Sequence, residues 1–225
     1  MFSRLRERAA RLVRRTPVLR KAEPFQRRLS AVTASSMPVF MHEIEWGMYA
    51  AILLANNPRQ VLEWGTGGST AATLALLPSL DRLVAMEHHP VWFTKVKSEI
   101  NDPRLDLYLC EPTVPQPEPT AIGDPKQYTA QLAAWFERCE REPSIMKEYV
   151  SKPASCGVAF DLILVDGRAR NACLRQGYEL LRPGGIMVIH DAQRAEYRET
   201  LESFPEHRFL EPWVQGQLCI VSKPE

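Results

Sequence analysis

Titratable side chains stand where two apolar runs of this 225-residue chain end. The run "FDLILVD" closes on Asp166, and the run "IMVIHD" closes on His190 and Asp191. Carboxylates and imidazoles act as general bases and bind hard cations. We therefore take Asp166, His190 and Asp191 as candidate catalytic residues. The alternative for His190 is a histidine that is only hydrogen-bonded at the end of a strand.

Three arginines lie close to these carboxylates along the chain. Arg168 and Arg170 follow Asp166 at the second and fourth positions, and Arg194 follows Asp191. A guanidinium binds carboxylate and phosphate groups through paired hydrogen bonds. We predict that Arg168, Arg170 and Arg194 bind an anionic acceptor. The same spacing allows one of them to pair structurally with Asp166 or Asp191.

A glycine-rich loop follows an earlier apolar run, in the stretch "VLEWGTGGST" at 61–70. Gly65 permits a tight turn, and Gly67 and Gly68 permit close approach of the backbone to a ligand. Ser69 or Thr70 can cap the helix that follows, whose first N–H groups then face the ligand. The loop therefore predicts a nucleotide-like ligand at the end of a strand.

Two residues indicate which nucleotide-like ligand this is. A dinucleotide fingerprint requires glycine where Thr70 stands, and Glu63 would bring a carboxylate near a pyrophosphate. Glu63 instead suits a cationic amino group, and Glu87, at the end of the next apolar run, can accept both hydroxyls of a ribose. An amino group and a ribose without phosphate describe S-adenosylmethionine (SAM). A nucleotide-dependent oxidoreductase is disfavoured on the same grounds.

Apolar runs alternate with segments of helical periodicity along most of the chain. The pattern predicts an α/β fold: a Rossmann-like, doubly wound, mostly parallel seven-stranded sheet with a C-terminal antiparallel hairpin around Gln215 and Gly216. Strands are expected at 60–64, 81–89, 104–110, 160–166 and 186–191. Helices are expected at about 38–57, 69–80, 90–100, 126–150, 170–181 and 194–204. The five prolines of 111–125 predict a segment without regular structure.

Two pairs of motifs resemble known methyltransferases. "VLEWGTGGST" with "VAMEHHP" resembles motif I and the second-strand acid of class I SAM-dependent methyltransferases, over about residues 45–222. "EWGTGGST" with "FDLILVDGRARNAC" resembles a bacterial methyltransferase-like group that shares E-[YW]-G-[ST]-G-G-S-T and V-D-G-R-x-R-x-x-C motifs. The resemblance implies a SAM-dependent transfer of a methyl group.

The resemblance also implies roles for individual residues. His88 would lie beside the adenine, and Asp166 would border the transferred methyl group. Metal-dependent O-methyltransferases have acids at positions similar to Asp166 and Asp191 followed by Asn, but this chain has Ala192. A divalent metal at Asp166 and Asp191 is therefore allowed but not favoured. The implied cofactor-binding residues are Glu63, Gly65, Thr66, Gly67, Gly68, Ser69, Glu87, His88 and Asp166.

The chain divides into an arm at 1–36 and a methyltransferase domain at 37–225, with an insert at about 111–159. We expect the insert to form a lid over the cleft and to select the acceptor. Its aromatic residues Trp135, Phe136 and Tyr149 either contact the ligand from the lid or pack the apolar face of a helix, which is the more common role of such residues. The expected function is methyl transfer from SAM to a small-molecule or glycan-like acceptor, with oxygen as the preferred atom. The alternative is a non-catalytic binding or scaffolding protein of the same fold.

The arm is the basic part of the chain. Residues 1–30 hold ten basic and two acidic side chains, against 28 and 27 in the whole chain. Its arginines lie opposite an apolar helical face, which predicts contact of 1–28 with anionic lipid or an acidic partner, or else a solvated helix. Because the remainder is acidic, we expect no nucleic-acid binding. Five scattered cysteines favour reduced thiols and a cytoplasmic protein, and the basic arm allows a peripheral location at the inner face of a membrane.

Overall fold

A computed structural model of the chain describes residues 37–212 and 215–225, so the predicted arm at 1–36 lies outside the described residues. Within them one seven-stranded sheet has the order β3-β2-β1-β4-β5-β7-β6. Six strands share one direction, and β7 runs antiparallel to both β5 and β6. The predicted fold class, including the terminal hairpin, is confirmed. The strands are β1 Gln60–Trp64, β2 Arg82–Glu87, β3 Leu105–Leu109, β4 Phe160–Val165, β5 Leu181–Ile189, β6 His207–Phe209 and β7 Cys219–Ser222.

Helices cover both faces of the sheet. They are α1 Glu43–Asn56, α2 Gly68–Leu76, α3 Pro90–Glu99, α4 Pro119–Ile122, α5 Pro125–Arg141, α6 Lys147–Ser151, α7 Arg170–Leu180 and α8 Ala195–Glu202, with a 3-10 turn at Lys152–Cys156. One apolar cluster packs α1 and α2 on the sheet, and a second packs α5 to α8. Because both faces are covered, the central strands are continuous apolar runs. Among the described residues no helix is long and apolar enough to cross a membrane.

The first described helix begins later than the sequence pattern predicts. The expected start was about residue 38, but α1 starts at Glu43 because His42 caps it. The His42 ring accepts a hydrogen bond from the Ile44 N–H, and the Glu45 carboxylate accepts one from the His42 N–H at 3.0 Å. This reciprocal pair satisfies N–H groups that have no partner within the helix. The cap also fixes Glu45, which matters for the site described below.

The insert contains more regular structure than predicted at one end and less at the other. The expectation that 111–125 has no regular element was wrong, because the one-turn helix α4 begins at Pro119. Proline at a first helical position loses no hydrogen bond. The single helix expected over 126–150 is instead divided into α5 and α6. The division follows Glu142, since Pro143 cannot continue a helix.

The residues "RPGG", between the helix expected at about 170–181 and the strand expected at 186–191, lie inside β5. The strand starts at Leu181, and its pairing with β4 shifts register between Phe160 and Leu162. Gly184 has a φ of +71°, which lets the strand absorb this irregularity. β5 then runs to Ile189, so that His190 and Asp191 follow it directly.

Candidate functional site

One cavity of about 490 Å³ lies at the carboxyl ends of β1, β2, β4 and β5. It spans the point where the chain leaves one half of the sheet for the other, between β1 and β4, which is where such sheets bind ligands. All but one of the predicted site residues line it. They are Gly65, Thr66, Gly67, Gly68, Ser69, Glu87, His88, Asp166, Arg168, Arg170, His190, Asp191 and Arg194.

Glu87, at the end of β2, organises the first half of this cavity. One carboxylate oxygen accepts hydrogen bonds from the His88 and His89 N–H groups, both at 2.8 Å. The other accepts from the Thr66 hydroxyl at 2.7 Å. Burial alone would raise the pKa of Glu87, but the hydrogen bond and charge of His88, with the His89 and Thr66 contacts, outweigh burial and lower it. Glu87 is therefore an ionised acceptor pointing at the loop.

The loop itself has a backbone that only glycine allows at one position. Gly65 has a φ of +92°, and a Cβ there would lie 2.8 Å from the carbonyl carbon and oxygen of Asp166. This close approach joins the ends of β1 and β4. The Trp92 indole of α3 donates to the Thr66 carbonyl at 2.7 Å and holds the loop from the other side. Sequence reasoning missed Trp92 because α3 offers no local sign of this contact.

Glu63 departs from the sequence prediction that it contacts the cofactor. Its side chain is buried beneath the loop, outside the cavity wall, and accepts a hydrogen bond from the Ser69 hydroxyl. Burial, helped by the charges of Asp166 and Glu87, outweighs the hydrogen bonds of Ser69 and Thr70 and raises the pKa of Glu63 to about 8. A protonated acid at this depth supports the loop. It does not present a negative charge to a ligand amino group.

The insert closes the cavity next to Glu87. The His88 ring stacks on Trp135 of α5 with ring centres 5.8 Å apart, and its Nε2 lies 3.3 Å from the Gln116 side-chain oxygen. The Trp135 indole donates to the Val114 carbonyl at 2.9 Å. Trp135 is therefore packed inside the insert, and it supports His88 rather than facing open solvent. Gln116, which sequence reasoning did not single out, lines the cavity.

His190 is held by carboxylates on both sides. Its Nδ1 lies 2.9 Å from Asp166 Oδ1, and its Nε2 lies 3.3 Å from Glu45 Oε2. Burial lowers the pKa of His190, but the hydrogen bond and charge of Asp166 and the charge of Asp191 raise it above its ordinary value overall. This geometry favours an imidazolium that donates from both nitrogens. It gives His190 a positioning role, since neither nitrogen is free to accept a proton from a ligand.

Arg170, at the start of α7, joins the ends of β4 and β5. Its guanidinium lies 3.1 Å from Asp166 Oδ1 and 3.5 Å from Asp191 Oδ2, and it donates to the carbonyls of Gly167 and His190. The side chain is almost fully buried. Burial lowers the pKa of Arg170, but the charges of Asp166, Tyr197 and Asp191 outweigh burial and raise it above its ordinary value. Arg170 thus pairs structurally with Asp166 and Asp191. Its nitrogens are already used by protein acceptors, so the predicted role in binding the substrate is not supported.

Asp191 and Arg194 form the outer edge of the site. Arg194 lies at the N-cap of α8, not within the helix as expected, and its guanidinium is 2.8 Å from Asp191 Oδ2. Burial raises the pKa of Asp191, but His190, Arg170 and Arg194 outweigh burial and lower it. Asp191 also has a φ of +61°, an uncommon conformation for a residue other than glycine. Such backbone conformations concentrate at functional sites.

The described residues do not favour a metal at Asp166 and Asp191. Within 37–212 and 215–225, no group of three or more His, Cys, Asp or Glu side chains is arranged to hold a metal ion. The Arg170 guanidinium lies between the two carboxylates and already neutralises them. A divalent cation between these carboxylates would meet the positive charge of this buried arginine.

A second cavity of about 470 Å³ adjoins the first on the side of the insert. Arg168 and Arg194 belong to the walls of both cavities, and Phe136 of α5 and Tyr197 of α8 line the second. Glu140 of α5 reaches across to the start of α7, where it accepts hydrogen bonds from the N–H groups of Arg170 at 2.8 Å and Asn171 at 3.1 Å. A carboxylate is a favourable cap for a helix N-terminus. Sequence reasoning missed Glu140 because no local motif connects it with α7.

Comparisons with known proteins give likeness in structure only. No family model matches the chain, and no curated protein matches it by sequence. A methyltransferase-like protein from Silicibacter pomeroyi has a TM-score of 0.57 at 17% identity, over 84% of this chain and 90% of that chain. Rv0187 from MTB, solved with cofactor bound, has a TM-score of 0.55 at 17% identity, over 90% of both chains.

A third solved structure belongs to the same fold. The O-methyltransferase from Bacillus cereus in complex with SAH has a TM-score of 0.54 at 14% identity, over 89% of this chain and 90% of that chain. The fold is that of the SAM-dependent methyltransferases. At these identities the likeness establishes architecture, and the activity has to be argued from the cavity itself.

Proposed function

We propose that this protein transfers a methyl group from SAM to a small-molecule or glycan-like acceptor, with oxygen as the acceptor atom. One observation carries the proposal. A single cavity brings the ionised Glu87 and the glycine loop together with Asp166 and the network around His190. The likeness in fold to methyltransferases solved with cofactor or SAH supports it.

The residues present fit SAM. Glu87 lines the cavity as an ionised carboxylate. One oxygen is used by the His88 and His89 N–H groups, and the other, which accepts from the Thr66 hydroxyl, keeps a lone pair for a ribose hydroxyl. Gly65 to Gly68 leave bare backbone at the start of α2, and His88 is backed by Trp135 as a flat surface for a base. The bound cofactor supplies a methyl group that its sulfonium has already activated.

The remaining work of the chain is alignment and removal of one proton. Asp166 accepts its hydrogen bonds from His190 and Arg170 on Oδ1, which leaves Oδ2 for an acceptor hydroxyl. A carboxylate is a weak base, but an oxygen that is gaining a methyl group becomes strongly acidic. We therefore assign proton removal to Asp166, and a positioning role to His190 and Asp191.

The proposal extends to partners and location. We propose a cytoplasmic protein whose arm at 1–28 contacts an anionic membrane surface or an acidic partner, without binding nucleic acid. The density of arginine in the arm supports this, and the arm lies outside the described residues. Co-sedimentation of the full chain with vesicles containing phosphatidylglycerol, against pure phosphatidylcholine vesicles, tests the membrane part. Equal sedimentation with both would contradict it.

Calorimetric titration with SAM and SAH tests the cofactor. We expect wild type to bind both, and Glu87→Ala to bind each at least about tenfold more weakly (~1.4 kcal/mol), because the ribose loses its acceptor. Glu206→Ala, an exposed acid before β6, is the control and should bind like wild type. A folded wild type that binds neither compound would contradict the proposal.

Turnover distinguishes the enzyme from the non-catalytic alternative. Methyl transfer from labelled SAM is measured with catechol-like phenols and anionic sugars, with and without magnesium. Product formation that Asp166→Asn abolishes supports the enzyme. Tight SAM binding without transfer to any acceptor of these classes would favour the binding or scaffolding protein instead.

A further inference from the structure

The structure assigns Arg168 as the residue that binds an anionic group of the acceptor, so that the acceptor carries a carboxylate or phosphate. This inference rests on the proposed function, because it names the substrate class for the same site. The sequence predicted this role for Arg168, Arg170 and Arg194 together, and the structure assigns it to Arg168 alone.

Charge pairing sets Arg168 apart from its neighbours. Arg170 is paired with Asp166 and Asp191, and Arg194 is paired with Asp191. Among the described residues no carboxylate pairs with Arg168. Its Nη1 reaches only the Gly167 carbonyl, at 3.4 Å, and its Nε is buried without a hydrogen-bond partner. Arg168 is thus a cation without an ion-pair partner among the described residues.

Packing holds the Arg168 guanidinium in one place. Its central carbon lies over the Phe136 ring of α5, 3.7 Å from the ring centre. Stacking of this kind leaves the edge of the planar group available for paired hydrogen bonds to an oxyanion. Holding an unpaired charge here is costly, since burial and the nearby charge of Arg170 both lower the pKa of Arg168. A bound anion would relieve that cost.

The position of Arg168 suits an acceptor that must also reach Asp166. The residue belongs to the wall of the cofactor cavity and to that of the second cavity, between α5 and α8. If Arg168 binds the anionic group, the remainder of a small acceptor lies next to Asp166, which follows the end of β4 and is two residues before Arg168. Asp166 is the proposed proton acceptor.

The acids of the second cavity do not compete for Arg168. Glu140 accepts from the N–H groups at the start of α7, and Glu137 is 3.4 Å from Arg141. Glu196 lies at the exposed rim, where water and salt screen its charge. The side of the cavity formed by Arg168 is therefore the side that favours an anion.

The test uses two pairs of probes that differ in charge: 3,4-dihydroxybenzoate against 3,4-dihydroxybenzamide, and D-glucuronate against methyl D-glucoside. Each is titrated into the SAH-saturated full chain. We expect at least one acid to bind about tenfold more tightly than its neutral partner, a preference of ~1.4 kcal/mol. In Arg168→Gln that preference should fall below about threefold. Arg175→Gln, an exposed arginine of α7, should retain it.

Two results would overturn the inference: no acid preferred by wild type in either pair, or the same preference in Arg168→Gln. Thermal unfolding midpoints of both variants establish that they are folded, and Arg168→Lys, which keeps the charge without the fork, should retain part of the preference. The two proposals fail separately. Absence of SAH binding contradicts the proposed function, whereas the same acid and amide titrations on protein without SAH still test Arg168.

Discussion

The two halves of the cavity are built in different ways. Around Glu87 the contacts span short distances along the chain. His88 and His89 follow Glu87 directly, and Thr66 lies 21 residues before it. Around Asp166 and Asp191 the contacts join distant segments. Glu45 meets His190 across 145 residues, and the Glu140 carboxylate meets α7 across 30.

This difference decides what a substitution can damage. The half around Glu87 consists of the loop between β1 and α2 and the end of β2, where hydrogen bonds from nearby backbone N–H groups hold the carboxylate. The half around Asp166 is a network of charges that fixes α1, β4, β5, α5 and α7 relative to one another. We therefore expect substitutions in the charge network to cost stability, and substitutions in the loop to cost mainly cofactor binding.

The largest effect is expected from Arg170→Met. The change leaves Asp166 and Asp191 without their buried partner and removes donors from the carbonyls of Gly167 and His190. Removing one partner of a buried ion pair typically costs about 3–5 kcal/mol. Urea unfolding measures the loss, and Arg175→Met on the exposed side of the same helix should change stability by less than about 0.5 kcal/mol. Equal losses in both variants would contradict the structural role of Arg170.

A smaller loss of stability is expected from Gly65→Ala, in the other half. The new methyl group would lie 2.8 Å from the Asp166 carbonyl at a φ of +92°. Strain of this kind costs about 1–3 kcal/mol, and relief by moving the loop should weaken SAH binding at least tenfold. Gly123→Ala is the matched control, because Gly123 has a φ of +75° with nothing within 4 Å of a Cβ. If both variants bind SAH like wild type, the close approach to Asp166 is not what shapes the loop.

The half of the cavity around Glu87 could be predicted from the sequence far better than the half around Asp166. Gly65 to Ser69 and Glu87 could be assigned because their roles depend on adjacent residues and on the end of a strand. Glu45, Trp92 and Glu140 could not, since each acts through a tertiary contact with no local signature.

Two of the sequence assignments changed for a related reason. Glu63 and Arg170 are charged residues at motif positions, and the motif does not tell whether such a side chain faces the ligand or the interior. Packing does: Glu63 lies beneath the loop and Arg170 between two carboxylates. The fold itself was predictable, because the alternation of apolar runs and helical periodicity extends over the whole domain.

The smallest expected effect is a pH dependence that His190 adds to stability. Because the folded pKa of His190 lies above its ordinary value of about 6.5, the folded chain holds a proton that the unfolded chain releases. The stabilisation is complete below pH 6.5 and is lost as the pH rises through the folded pKa. Wild type should therefore lose stability relative to His190→Gln in urea unfolding as the pH rises above about 6.5. Glu63, with a pKa of about 8, titrates in the same range, but it is present in both proteins and cancels in the difference. A constant difference across the series would mean that Asp166 and Glu45 hold a neutral imidazole, and that folding does not raise the pKa of His190.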